Sequence, residues 1–253
     1  MLVERGLAVS RSSAQGLILS GSVRVGDVVV TKAGSRIGAD EPLSVDEAER
    51  FVSRAGEKLD SAIGEFGVRV EGRSCLDAGA STGGFTDALL QRGAERVISV
   101  DVGYGQLAWS LRNDPRVTVM ERTNVRSLAG ADLPFVPDLL VADLSFISLT
   151  VALEGIISTT PTLREAILLV KPQFEAGPES VGRGGLVKDR GVHATVIRNV
   201  AGYFASLGFG AVDATRGAVA GRKSGNLEYP VHLRRGVGTT LDEARIREVV
   251  AGG

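Results

Sequence analysis

The sequence predicts an α/β protein in which a doubly wound sheet follows a small α+β domain. Three observations predict it. From about residue 55 onward, short apolar runs alternate with amphipathic stretches, the pattern of strands covered by helices on both faces. A glycine-rich turn, Gly79-Ala80-Ser81-Thr82-Gly83-Gly84, follows the first of those apolar runs. Residues 1–45 have a different texture, with only short elements between turn residues.

In that first domain, the apolar-periodic stretch from Leu2 predicts one helix. Ser10-Arg11-Ser12-Ser13 supplies the N-cap of a second, over 14–19. Val23-Arg24-Val25 and Val28-Val29-Val30 alternate around Gly26-Asp27 and predict a hairpin. Pro42-Leu43-Ser44-Val45 closes the unit as a short strand. Residues 46–54 read as a linker, charged in its first half, and 55–253 as the second domain. Its opening helix, 55–66, carries Leu59, Ala62, Ile63 and Phe66 on one stripe. Strands are predicted at 74–78, 96–102, 117–121, 138–143, 166–171, 210–214 and 227–233. Helices are predicted at 86–91, 106–111, 149–158 and 192–207. There is no internal repeat. The glycine-rich stretch 175–191 is the one long irregular segment, a length that often marks a functional or mobile loop.

Composition narrows the function classes. The 253 residues hold 29 Lys+Arg against 30 Asp+Glu, a net charge of -1, which excludes a uniformly basic nucleic-acid coat. The lone Cys75 excludes an internal disulfide framework and a cysteine-cluster zinc site, and it suits a reducing compartment. The histidines His193 and His232 are far apart, so no metal site is expected. The first residues do not read as a signal peptide, and apolar runs such as 166–170 are too short to span a bilayer. A cytoplasmic protein without a membrane partner is expected.

The turn Asp77-Ala78-Gly79-Ala80-Ser81-Thr82-Gly83-Gly84-Phe85 sits where a strand gives way to a helix, the place where doubly wound sheets bind ligands. It is not the dinucleotide fingerprint, because Ala80 and Ser81 separate Gly79 from Gly83-Gly84. It also lacks the Gly-Lys-Ser/Thr ending of a phosphate-cradling loop. The acidic residue opening it suits a ligand of positive or hydroxyl character. Asp101, about twenty residues on at the end of the next strand, is placed to accept both hydroxyls of a ribose. Together they favour S-adenosylmethionine, which has an adenosine and a sulfonium but no phosphate. A tight turn and a capping Asp without any ligand is the blander alternative.

These residues resemble those of FtsJ-type RNA ribose methyltransferases. The resemblance tightens to the TlyA, hemolysin A-like family through Phe51-Val-Ser-Arg-Ala-Gly-Glu-Lys-Leu59, Ala142-Asp-Leu-Ser-Phe146 and Lys171-Pro-Gln-Phe-Glu175. Gly184-Gly-Leu-Val-Lys-Asp189 and Gly225-Asn-Leu-Glu228 extend it over nearly the whole chain. It implies a Rossmann-like methyltransferase sheet, 2'-O-methylation of cytidine in ribosomal RNA, and ribosomal subunits as partners. The implied cofactor set is Asp77, Gly79, Ala80, Ser81, Thr82, Gly83, Gly84, Phe85, Asp101, Asn124 and Asp143. The implied catalytic tetrad is Lys58, Asp143, Lys171 and Glu228. Residues 1–45 resemble the S-four-type RNA-binding module, although this copy is short at its opening helix and thinly basic. Arg5, Arg11, Arg54, Arg183, Lys188 and Arg222 are the RNA contacts expected.

The tetrad suits the chemistry. A ribose hydroxyl is a very weak acid and must lose its proton as it attacks the sulfonium methyl. Two neighbouring ammonium groups would disfavour each other's charge and free one as base. Lys171 is assigned as base, Lys58 as stabiliser of the developing oxyanion, and Asp143 and Glu228 as positioners. The loop 175–188 is expected either to close over RNA or to remain a mobile surface loop. Trp109 and Tyr104 read as core or as neighbours of the adenine, and His193 as a cap or surface residue. Arg222, Lys223, Arg234 and Arg235 read as a solvated face that could touch RNA backbone. The competing functions are a non-enzymatic RNA-binding or ribosome-assembly factor and a membrane-active hemolysin.

Overall fold

Two sheets organise the residues that the computed structural model describes, namely 1–38, 40–45, 50–217 and 226–252. They belong to two units, Met1–Arg50 and Phe51–Gly253.

In the first unit Ser10 caps helix α1 (Arg11–Leu19), its Oγ accepting the Ser13 N–H at 3.1 Å. Strands β1 (Val23–Val25), β2 (Val28–Val29) and β3 (Leu43–Val45) form an antiparallel sheet in the order β2-β1-β3. Val25 pairs with Val28, so the hairpin turns on Gly26-Asp27 as its sequence predicts. The helix expected from Leu2 onward does not form. The chain makes turns there, closed by Arg5 N to Met1 O and Leu7 N to Leu2 O, and Gly6 adopts φ +72°. A left-handed residue that early stops a helix before its nucleus can propagate.

The second unit runs α2 (Arg54–Phe66), β4 (Ser74–Ala78), α3 (Gly84–Gln91), β5 (Arg96–Val100), α4 (Trp109–Arg112), β6 (Val117–Met120) and β7 (Leu139–Ala142). It continues α5 (Leu149–Thr159), β8 (Glu165–Val170), α6 (Pro172–Glu175), α7 (Arg190–Ser206), β9 (Phe209–Ala214), β10 (Tyr229–Arg235) and α8 (Glu243–Ala251). The strand order is β6-β5-β4-β7-β8-β10-β9; β10 alone runs antiparallel to its neighbours, inserted between β8 and β9. Alternation along the strands splits the core in two. Cys75, Val97, Val141 and Ile167 pack with Leu59, Ala62 and Ile63 of α2 on one face. Leu76, Ile98, Leu140 and Leu168 pack with Ile156 of α5, Phe204 of α7 and Val249 of α8 on the other.

Three elements of this unit depart from what the sequence predicts, and α6 has no counterpart there. The helix expected at 106–111 is the single turn α4. The C-terminal α8, capped by Asp242 through the Arg245 N–H and burying Ile246, Val249 and Val250, was not foreseen. Its nine residues lie below the length at which periodicity alone separates a helix from a tail. The order reverses between β4 and β7, so the loops after β4, β5, β7 and β8 open at one crevice beyond the strand ends.

Candidate active site

The glycine turn after β4 is shaped by what surrounds it. Gly79 has φ +89°, and a Cβ there would lie 2.7 Å from the Asp143 carbonyl oxygen. Gly83 has φ +99°, and its Cβ would lie 2.3 Å from the Leu111 side chain. Both positions therefore exclude a side chain by conformation and by space. Four of the turn's amides are already taken: Gly79 N and Ala80 N donate to Val100 O, Ser81 N to Asp101, and Gly83 N to Ala80 O.

Asp101, just beyond β5, accepts Ser81 N on Oδ2 at 2.8 Å and Gly103 N on Oδ1 at 2.7 Å. Each oxygen keeps a second lone pair for a ligand hydroxyl. Asp101 borders a cavity of about 320 Å³ together with Gln106, Asn124 and the apolar Val102, Val125 and Ile147. A second cavity of about 270 Å³ is lined by Ala80, Thr82, Phe85 and Lys171. Gly79, Ser81, Asp143 and Ser145 border both. Asp77 borders neither. Its carboxylate is fully buried, Oδ2 accepting from Thr86 at 2.6 Å, while Thr86 Oγ1 lies 2.7 Å from Ser99 Oγ. Burial pushes this carboxyl up to about 7 against the Thr86 hydrogen bond, with Asp143 and Asp101 adding to the rise.

The four residues of the tetrad stand as two ion pairs. Lys58 Nζ lies 2.5 Å from Glu228 Oε2, and Lys171 Nζ lies 2.5 Å from Asp143 Oδ1. Tyr229 pairs with Val170 across β10 and β8, so Glu228 and Lys171 sit one residue beyond that rung, side by side at the crevice. Each lysine nitrogen thus has a carboxylate oxygen at ion-pair distance. Lys171 also donates to Ser145 Oγ at 3.0 Å. Ser145 had no role in the sequence reading, nor did Glu175. The Glu175 carboxylate accepts Leu149 N at 2.7 Å and Ser148 Oγ at 2.6 Å, and burial raises it above the ordinary range. It ties the turn after Lys171 to the helix after Asp143. Its place four residues after Lys171 in the quoted motif was the only signal.

Of the RNA contacts expected, Arg5, Arg11, Arg54, Arg183 and Lys188 are exposed, and Arg5 Nη1 donates to Glu41 O. Arg222, like Lys223, lies outside the described residues. Phe146, 91% exposed with φ +65°, borders the larger cavity and stands 5.2 Å from the Phe174 ring. Trp109 and Tyr104, read as core, are 79% and 67% exposed, and Arg122 lies over the Tyr104 ring. His193 is buried, not a cap; Asp189 caps α7 instead. Its ring nitrogens meet Tyr229 Oη at 2.7 Å and Val187 O at 2.9 Å. Asn226 accepts Val187 N and donates to Gly185 O. The loop before α7 is therefore pinned at residues 185–187.

Comparison with known proteins decides the family. The model described as FtsJ-like methyltransferase matches residues 51–235. The 16S/23S rRNA (cytidine-2'-O)-methyltransferase TlyA of Mycobacterium tuberculosis is 45% identical over 251 residues, 98% of this chain and 93% of that one. The chain belongs to the TlyA family of FtsJ-like methyltransferases. The first unit of this methyltransferase matches the S4 domain over residues 1–42. Hemolysin A of Brachyspira hyodysenteriae is 41% identical over 229 residues, covering 90% of this chain and 95% of that one. A solved hemolysin candidate from Streptococcus thermophilus superposes with a TM-score of 0.76 at 35% identity, covering 99% of this chain and 92% of that one. Among the described residues of this methyltransferase, no helix is long and apolar enough to cross a membrane.

Proposed function

We propose that the chain methylates the ribose 2'-hydroxyl of cytidine in ribosomal RNA, with S-adenosylmethionine as donor. The observation that carries this reading is the junction of the two cavities, where Asp143 and Ser145 border both and hold Lys171 at the rim. The larger cavity fits an adenosine, with Asp101 facing the ribose and Val102, Val125 and Ile147 giving the base an apolar slot. The smaller one takes the amino-acid arm against Ala80, Ser81 and Thr82. When bound, S-adenosylmethionine supplies an electrophilic methyl whose C–S bond breaks as the bond to the 2'-oxygen forms, leaving neutral S-adenosylhomocysteine.

Lys171 Nζ takes the hydroxyl proton. Asp143 and Ser145 hold the amine in line. Lys58, fixed by Glu228, steadies the oxygen as charge develops. Asp77, buried beneath the turn, supports the cofactor loop through Thr86 instead of touching the ligand. The S4 unit, with Arg5 and Arg11, and the exposed Arg54, Arg183 and Lys188 supply phosphate contacts. A ribosomal substrate puts the work in the cytoplasm.

The test offers tritium-labelled S-adenosylmethionine with isolated small and large ribosomal subunits, followed by nuclease digestion and nucleoside separation. Label in 2'-O-methylcytidine is expected; label confined to a base, or none above background, overturns the reading. Asp101→Ala is expected to weaken cofactor binding by about a hundredfold, since it removes charged hydrogen bonds to two hydroxyls. Calorimetric titration checks this, and an unchanged dissociation constant would move the adenosine out of the larger cavity.

A further inference from the structure

We infer that Ser145 is a positioning residue for methyl transfer, the hydrogen-bond acceptor that, beside the Asp143 carboxylate, aims the lone pair of Lys171 at the substrate hydroxyl. The inference rests on the reading of Lys171 as the base.

An amine nitrogen at the end of a lysine chain turns freely about its last bond. As an ammonium it offers three N–H directions; as a base it offers two N–H groups and one lone pair. A hydrogen-bond acceptor fixes one of these directions, and a neighbouring carboxylate disfavours the lone pair on its own side. Lys171 has both: Ser145 Oγ accepts from Nζ at 3.0 Å, and Asp143 Oδ1 forms an ion pair with it at 2.5 Å. The three residues line one cavity together. Lys171 is 7% exposed.

Ser145 is itself held. The loop that carries it is fastened to the turn after Lys171 by Glu175, through Leu149 N and Ser148 Oγ, and by the contact between the Phe146 and Phe174 rings. The two loops that bring acceptor and base together are therefore bound to each other. Ser145 is exposed, so its hydroxyl is not needed to fill the core.

The experiment compares full-length wild-type protein with Ser145→Ala, Ser145→Cys and Ser145→Thr. It measures kcat and KM on ribosomal subunits at saturating cofactor, the cofactor dissociation constant, and the melting midpoint. Lys171→Ala is run alongside. Ser145→Ala is expected to lower kcat about ten- to hundredfold, the loss of one hydrogen bond to a charged donor and of the orientation it imposes. KM and cofactor affinity should stay within about threefold, because the transfer step is what needs the aim. Ser145→Cys, a weak acceptor of similar size, should be nearly as slow, and Ser145→Thr should recover most of the rate. A Ser145→Ala kcat within about twofold of wild type overturns the inference. So does a defect confined to KM, or a threonine variant as slow as the alanine one. If Lys171→Ala turns over normally, the reading of the base fails instead. Should the alanine variant not fold, the contrast between cysteine and threonine decides.

Discussion

Lys171→Ala is expected to lower methyl transfer to ribosomal RNA by about a thousandfold, the middle of the range for removing a positioned general base. Cofactor affinity should change by no more than a few fold. The two effects separate because the adenosine is held from the larger cavity by Asp101 and its neighbours, and the amino-acid arm keeps Ala80, Ser81 and Thr82 in the smaller one when Lys171 is removed. Removing Lys171 leaves Asp143 without its ion-pair partner near the rim, so a melting curve belongs beside the assay; Lys171→Met, which keeps the chain but not the amine, is the companion variant. The measurement is single-turnover transfer of a labelled methyl group at saturating cofactor. Turnover within tenfold of wild type in both variants would move the base elsewhere.

Asp77→Asn is expected to change the pH dependence of stability more than any other single substitution of a buried polar group. The folded protein holds this carboxyl up to about 7, against an ordinary value of 3.8, chiefly through burial. A raised folded value means that the native state keeps the proton after the unfolded chain has lost it. The stabilisation is therefore complete below about 4, declines as pH rises, and is gone above about 7. Asparagine has no proton to lose. Between pH 5 and pH 8 the variant should gain about 3 kcal/mol on wild type. Its buried amide adds an offset that does not depend on pH. Urea titrations of both proteins without cofactor at the two pH values give the difference directly. A gap that stays constant with pH would mean that Asp77 is ionised in the fold, with its charge matched by some other group.

The sheet was legible in the sequence because buried parallel strands are short apolar runs bounded by polar residues, as at 74–78 and 139–142. The crevice was legible because glycine turns follow from the backbone: Gly79 and Gly83 have no freedom to be anything else. Partners across the fold were not legible. Nothing local says that Asp77 faces α3 rather than the ligand, because strand alternation assigns a face but not what covers it. The same holds for His193, whose place in the first turn of α7 hides an interior bridge between Tyr229 and the loop at Val187. Which carboxylate stands beside which lysine was not legible for a related reason. Four charged residues in matching motifs were recognised together, but pairing them depends on the register of β10 against β8. Ser145 was missed because a serine in a loop carries no signal until the lysine that it faces is in place.

The position of β10 also sets when the molecule can work. Lys58, Asp143 and Lys171 emerge from the synthesis machinery long before Glu228, and β10 enters between two strands already made. A nascent chain that stops short of Glu228 has a slot beside β8 and no carboxylate for Lys58. Because side chains alternate along a strand, insertion one residue out of register would turn Glu228 to the opposite face. Completion of the last strand is thus a checkpoint: fragments can resemble the enzyme in most of their sheet and still lack half of its charge pairs.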